Sequence, residues 1–515
     1  MSTPARPSSA RSKQPVVSTT DRFEQARRSH ERQRAARTTM DKASNYEEWM
    51  AAAVAHDERS GAARWQRQDS SGGYDYRIIR RRFDELQRLA QSGDPHEVLF
   101  FLNEGVHGNM GGIGSASLYT KAKSGTKHLI RDYLQAMADA IHQVADTTEE
   151  EIPFLEKLEF LRRASLCFGR SALMLSGGGA LGPFHLGVVK SLHEQGLLPE
   201  VISGASAGSM VAAVVGTQDD ATLTELFKPE NLTGVFQDFG EEGLQTLKNN
   251  ERISIDRLYK VVQSLIPDLT FAEAFEKTGR KINVTVSPRE AHQKSRLLNA
   301  VTSPNVFIRE AVLASCAIPG VFPPVTLAAK NVHGERQPYV PTRQWVDGSV
   351  TDDLPAKRLS RLYGVNHFIT SQTNPIVLWR LTDPNRDDLF SRGWNIYQNA
   401  MKEWFRATYP LALSVTKNLY PLNVMTRMGY SVAMQDYTAD INILPRRRFW
   451  DPRKLLSVLD EEDTRYLIRE GELATWPQME MIRNCTEVSR ALDAVLAPLE
   501  SRYANQQAGL LVDAG

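Results

Sequence analysis

Val201-Ile-Ser-Gly204-Ala-Ser206-Ala-Gly208-Ser-Met-Val-Ala-Ala-Val-Val215 is the stretch on which the fold turns. Val201 to Ser203 reads as a short buried strand, and the small apolar residues from Ala207 to Val215 read as a helix. Gly204-Ala-Ser206-Ala-Gly208 then falls on a tight strand-to-helix turn, the setting of a nucleophile elbow. Such a turn is crowded, and only Gly or Ala tolerates the close backbone approach beside the serine. The helix that begins after Ser206 points free N–H groups and a positive dipole end toward any negative charge developing there.

Working outward, Ala172–Leu175 reads as another strand and runs into Gly177-Gly178-Gly179-Ala180-Leu181-Gly182. Three successive glycines let backbone N–H groups converge on one cavity, as the transition state of acyl transfer requires. The string also satisfies part of a G-x-G-x-x-G phosphate loop. The acid expected ~20 residues on for a ribose would be Glu200, which precedes a strand instead of ending one. Dinucleotide binding is therefore the poorer account. Farther along, Trp345-Val346-Asp347-Gly348-Ser349-Val350 ends a short apolar run in an acid. Alone, Asp-Gly is a turn; in this company it projects a carboxylate from a strand edge.

Between about residues 171 and 371 short apolar runs alternate with helical patterns, which predicts βαβ units around a mainly parallel sheet. The strands expected are 172–175, 201–203, 281–286, 345–346 and 367–371, with helices over 184–194, 207–215 and 307–315. Residues 45–170 predict a helical N-terminal domain: Ile79, Phe83, Leu86 and Leu89 share one helix face, and Leu129, Tyr133, Met137 and Ile141 another. The polar, Gly-rich stretch 104–114 between them predicts an ordered loop. Residues 1–40 carry nine Lys or Arg against Asp21, Glu24 and Glu31 and predict a disordered basic arm able to touch anionic lipid. Residues 372–500 predict a helical, aromatic-rich extension, and 501–515 a flexible tail.

A net charge of +1 argues against a nucleic-acid binder. Cys167, Cys316 and Cys485 are scattered, so neither a disulfide framework nor a zinc site is indicated, and no metal or organic cofactor is implied. The N-terminus lacks a secretory h-region and no window has the ~20 apolar residues of a membrane span. The expectation is a cytoplasmic protein that meets lipid peripherally, at a membrane or lipid-droplet surface.

The glycine loop, the G-x-S-x-G and the Asp-Gly pair, in that order, resemble the patatin-like phospholipase family. That resemblance implies an α/β three-layer domain. It makes Ser206 the nucleophile and Asp347 the general base, with an oxyanion hole from the N–H groups of Gly177, Gly178, Gly179 and Ala207. Gly182, Gly204, Gly208 and Gly348 support the motifs. Ser349 departs from the Gly or Ala usual in the family. Further segments are similar to the storage triacylglycerol lipase subgroup with its extra N-terminal domain: Glu104 to Gly114, Leu118-Tyr119, Gly125-Thr-Lys127, Ala314 to Pro324, Asp347 to Pro355 and Tyr437 to Ile441. The likeness runs over about residues 45–480. It implies hydrolysis of triacylglycerol or phospholipid, with acyl transfer to a lysolipid or glycerol acceptor as the alternative. Some storage lipases carry H-x-x-x-x-D for such transfer, whereas His128 and His142 here have Asp only four residues on. Oligomeric state is not legible.

Serine hydrolases usually take the proton on histidine. After Asp347 only His367 remains, inside a strand pattern where it reads as a core or strand-end residue. A buried Asp suffices, because a dry pocket raises its pKa. His185 and His107 read as packing and loop residues. Trp394, Tyr397, Met401, Trp404, Phe405, Tyr409 and Leu413 fall mostly at helical spacing, and Arg446-Arg-Arg-Phe-Trp450 is basic and aromatic. Both fit a lipid surface; core packing over an acyl pocket for the first and a solvated loop for the second are the ordinary readings.

Overall fold

The computed structural model describes residues 38–228, 255–290, 293–319, 321–378, 439–446 and 459–513, with Asn231 and Thr408 as single residues. Most of the basic arm, the aromatic segment 394–413 and residues 447–450 lie outside the described residues.

Among the described residues the strands are β1 Arg170–Leu175, β2 Val201–Gly204, β3 Lys281–Pro288, β4 Arg296–Asn299, β5 Ala328–Lys330, β6 Arg336–Pro338, β7 Trp345–Asp347, β8 Val365–Ser371 and β9 Ile441–Ile443. The main sheet has the order β4-β3-β2-β1-β8-β9, with β7 added on β3. From β3 to β9 it is parallel; β4 and β7 run antiparallel to β3. β5 and β6 form a separate hairpin. The α/β architecture thus agrees with the alternating pattern of the sequence. β9, only three residues long, was too short to register as a strand.

One pairing detail sets up the site. Val286 of β3 pairs with Arg296 on one edge and Asp347 on the other. β2 pairs with β3 only as far as Val284. β3 runs on past the end of β2, and β7 takes over the edge that β2 vacates. The last residue of β7 therefore meets the turn that leaves β2.

The helices used below are α1 Tyr46–Ser60, α2 Tyr76–Ser92, α3 Pro95–Gly105, α4 His128–Asp146, α5 Phe154–Phe168, α6 Gly182–Glu194, α7 Ala207–Thr217, α8 Ile308–Ser315, α9 Glu461–Thr475 and α10 Met479–Asp513. Two cores result. The sheet, α6, α7 and α8 are sealed by Tyr46 and Trp49 of α1 and by Ile468 and Leu473 of α9. Helices α2 to α5 form the other, closed by Val488, Leu492 and Leu496 of α10. The Gly-rich stretch expected as a loop begins inside α3 and contains a short 3₁₀ turn, Met110–Gly112. Gly111 and Gly112 adopt φ of 61° and 82°, which glycine accepts without strain.

Buried charges hold the fragment Gly125-Thr-Lys127 and the residues just before it in place. Buried Asp57 accepts the N–H groups of Lys123 and Ser124 at 2.8 and 2.7 Å. Lys127 is buried, with Nζ donating to the carbonyls of Trp65 and Gln68 at 2.6 and 2.7 Å, and burial lowers it to about 8. A buried cation demands such partners.

α6 and α9 cross through glycines. A Cβ on Gly187 would stand 1.9 Å from the Ile468 carbonyl, and one on Gly471 2.2 Å from the Phe184 carbonyl. Gly→Ala in an open helix stabilises by about 1 kcal/mol. Here overpacking against backbone reverses the sign, and Gly187→Ala is expected to destabilise by about 2 kcal/mol. Urea midpoints at constant m-value measure it.

Candidate active site

Ser206 stands at φ 50° and ψ −123°, a conformation costly for any residue with a Cβ. The surroundings enforce it. A Cβ on Gly204 would lie 2.3 Å from the Gly208 carbonyl, and one on Gly208 2.2 Å from the Leu175 carbonyl. The Ser206 N–H donates to Ser315 Oγ at 2.9 Å, and that hydroxyl donates to the Thr285 carbonyl at 2.8 Å. Ser315, at the end of α8, ties the turn to β3. Nothing in its own sequence neighbourhood pointed to that duty.

Asp347 ends β7 and is 2% exposed. Its N–H donates to the Ala317 carbonyl at 2.9 Å. Gly348 is obligatory, since a Cβ would meet the Thr285 carbonyl at 2.3 Å. Burial pushes the carboxyl from the usual 3.8 up to about 6, against hydrogen bonds from the Ser349 N–H and from the Ser206 hydroxyl. Ser206 and Asp347, distant in sequence, are thus close enough for the serine hydroxyl to act on the carboxyl. The Ser349 N–H bond to Asp347 Oδ1 is 2.8 Å long and comes from the backbone, so the departure from Gly or Ala leaves it available.

The glycine loop sits opposite. Among the described residues, the N–H groups of Gly178, Gly179 and Ala207 have no acceptor. The Gly177 N–H is different: it donates to Asp353 Oδ1 at 2.7 Å and is not free for a substrate. Burial, with the Asp347 charge adding, pushes Asp353 up to about 7. Asn374 Nδ2 donates to its other oxygen at 3.3 Å. In the sequence Asp353 was one of two adjacent acids after the Asp-Gly pair, with no local sign separating it from a surface carboxylate. Gly182 lies against Ala207, a Cβ there being 3.4 Å from that of Ala207.

His185 is fully buried behind the loop. Nδ1 contacts Ser371 Oγ at 2.7 Å, and Nε2 lies 3.0 Å from both the Ser176 carbonyl and Thr373 Oγ1. Burial lowers it to about 4, so it is a neutral hydrogen-bonding brace. His367 pairs with Ser171 at the opposite end of β8, its Nδ1 3.0 Å from Ser171 Oγ. Four residue steps along the strand, roughly 13 Å, separate it from Ser371 at the site.

Thr373 also limits the loop. A Cβ on Gly178 would stand 2.1 Å from Thr373 Oγ1. Gly178→Ala is expected to lower kcat/KM about 10²-fold by displacing a donor. Thr373→Gly in the same chain, which removes the obstructing atoms, should restore at least part of it. Kinetics on a soluble ester test the pair.

The patatin-like phospholipase family description matches residues 173–359, and a domain of unknown function, DUF3336, matches residues 26–166. Triacylglycerol lipase ptl3 of Schizosaccharomyces pombe is 32% identical, covering 90% of this chain and 97% of that protein. Triacylglycerol lipase 4 of Saccharomyces cerevisiae is 32% identical over 89% of this chain and 52% of that protein. Triacylglycerol lipase SDP1L of Arabidopsis thaliana is 30% identical over 90% of this chain and 58% of that protein. The chain spans little more than half the length of these last two relatives. Likeness along almost the whole of the fission-yeast protein joins the elbow and glycine loop described above: the chain belongs to the patatin-like phospholipase family.

Proposed function

We propose that the chain is a serine lipid acyl hydrolase that releases fatty acids from long-chain acyl esters, triacylglycerol first and phospholipid second. The observation that carries this reading is a serine on a strained strand-to-helix turn, Ser206, acting on a buried Asp347 carboxyl that burial pushes up to about 6. A carboxylate of that basicity is ionised at neutral pH yet basic enough to share the serine proton. Asp347 takes that proton as Oγ bonds to the ester carbonyl carbon. The negative charge passes to the carbonyl oxygen, which the N–H groups of Gly178, Gly179 and Ala207 receive at the N-terminus of α7. Collapse breaks the ester bond, the leaving alcohol takes the proton from Asp347, and an acyl-enzyme remains. Water, giving a proton to Asp347, attacks the acyl carbon; the bond to Ser206 Oγ breaks, that oxygen takes the proton back from Asp347, and the fatty acid leaves. The triacylglycerol lipase names of the relatives support the substrate class. Among the described residues no helix is long and apolar enough to cross a membrane. We infer contact with a membrane or droplet surface from the insolubility of the substrate.

Labelling with a fluorophosphonate followed by peptide mapping tests the assignment. The label should sit on Ser206, and His367→Ala should retain it. A label elsewhere, or its loss in His367→Ala, would sink the dyad. Product analysis with triolein, phosphatidylcholine and an added lysolipid acceptor separates substrate classes and detects acyl transfer.

A further inference from the structure

A second cavity, of about 500 Å³, lies at the other end of the sheet, between the N-terminal helices, the start of β8 and α10. That volume is within the range of small-molecule sites. Its walls differ in character. Tyr133, Leu134 and Met137 of α4 and Val488 of α10 supply an apolar side. His367 and Asp440, at the starts of β8 and β9, supply a polar one. The Gly-rich loop with His107 and Asn109 borders the mouth, so two of the motifs left unused by the catalytic site converge here.

His367 Nε2 is buried and has no hydrogen-bond partner among the described residues, although its Nδ1 is engaged by Ser171. A buried polar atom without a partner is costly, and a ligand hydroxyl would satisfy it. Beside it, Asp440 Oδ2 accepts the Phe368 N–H at 2.7 Å. Among the described residues no Lys or Arg lines the cavity, whereas Asp440 brings a carboxylate. Phosphates and free fatty acids would meet no cation there. Hydroxyls suit the site, because each can donate to the carboxylate and exchange a hydrogen bond with the imidazole. Among the described residues, no group of His, Cys, Asp or Glu is arranged for a metal ion.

We propose that this cavity binds an uncharged amphiphile with neighbouring hydroxyls on its head, of the monoacylglycerol type, with the head on His367 and Asp440 and the chain along α4 and α10. The site is separate from Ser206 and stands whether or not the hydrolase reading holds. The test uses the full chain carrying Ser206→Ala and a 1-monodecanoylglycerol bearing a diazirine in its acyl chain. After irradiation, label is expected in peptides from 128–146 and 479–496. Unlabelled 1-monodecanoylglycerol should protect these at about tenfold lower concentration than decanoate or glycerol. Met137→Trp, which fills the apolar side, should reduce this labelling about tenfold while peptides around residue 206 keep theirs. Label confined to the peptides around residue 206, or decanoate protecting equally well, overturns the proposal. The protection arms need no cavity variant and decide the matter even where Met137→Trp melts early.

Discussion

Ser206→Ala is expected to lower kcat on a soluble ester such as p-nitrophenyl octanoate by about 10⁴-fold or more, with KM changed less than about threefold. In the proposed mechanism the substitution removes the atom that holds the acyl group, and it leaves its surroundings in place. Alanine keeps the Cβ, so the strained φ of 50° is no worse. The backbone N–H of residue 206 still donates to Ser315 Oγ. The glycine-loop donors are untouched, so some rate above water survives. Steady-state kinetics beside a melting curve check both halves of the statement. A variant retaining more than about one-hundredth of wild-type kcat would strip Ser206 of the nucleophile's role.

Asp347→Asn should lower kcat about 10³-fold, the amide being isosteric but unable to accept the serine proton. Its second signature is in the pH dependence. With a pKa of about 6, wild-type activity should rise with pH through that value and level off above it; the variant should lose that rise. Stability should move the other way. The folded carboxyl holds its proton more tightly than the unfolded one, so the folded state binds more protons between the usual 3.8 and about 6. Wild type therefore loses stability as pH rises through that window. A shift of 6 minus 3.8, at 1.36 kcal/mol per pKa unit, amounts to about 3 kcal/mol. Asparagine carries no such dependence. Urea unfolding should find Asp347→Asn gaining on wild type between pH 4 and pH 8. Asp353, pushed up to about 7, contributes a dependence of its own to both proteins, so the comparison is between the two curves. Parallel curves would mean that Asp347 is not the raised group.

Much of the site was legible because its parts are local. The elbow announces itself by an apolar run, two glycines around a serine and a run of small helical residues, all within one strand and one helix. The glycine loop and the Asp-Gly pair are likewise contiguous. What sequence could not separate was duty within a motif. Gly177, Gly178 and Gly179 read as equivalent donors, yet the Gly177 N–H is taken by Asp353. His185 read as packing; it is buried and also braces Ser176 and Thr373 through Nε2 and Ser371 through Nδ1. Residues 372–500 read as helical, and β9 within them is a strand because the edge of β8 offers it hydrogen bonds.

By itself the sequence determined the order of strands and helices around Ser206, the crowded turn that carries it and the short strand that ends in Asp347. Periodicity and small side chains act within a single element, so a reader of the chain sees them. Only the tertiary structure decided how Asp347 is brought beside the serine and how basic it is. The first depends on β7 occupying the edge of β3 beyond the last pair of β2. The second depends on water being excluded from Asp347 by elements far away in the chain. Strand pairing and desolvation arise between elements, and no local pattern encodes them.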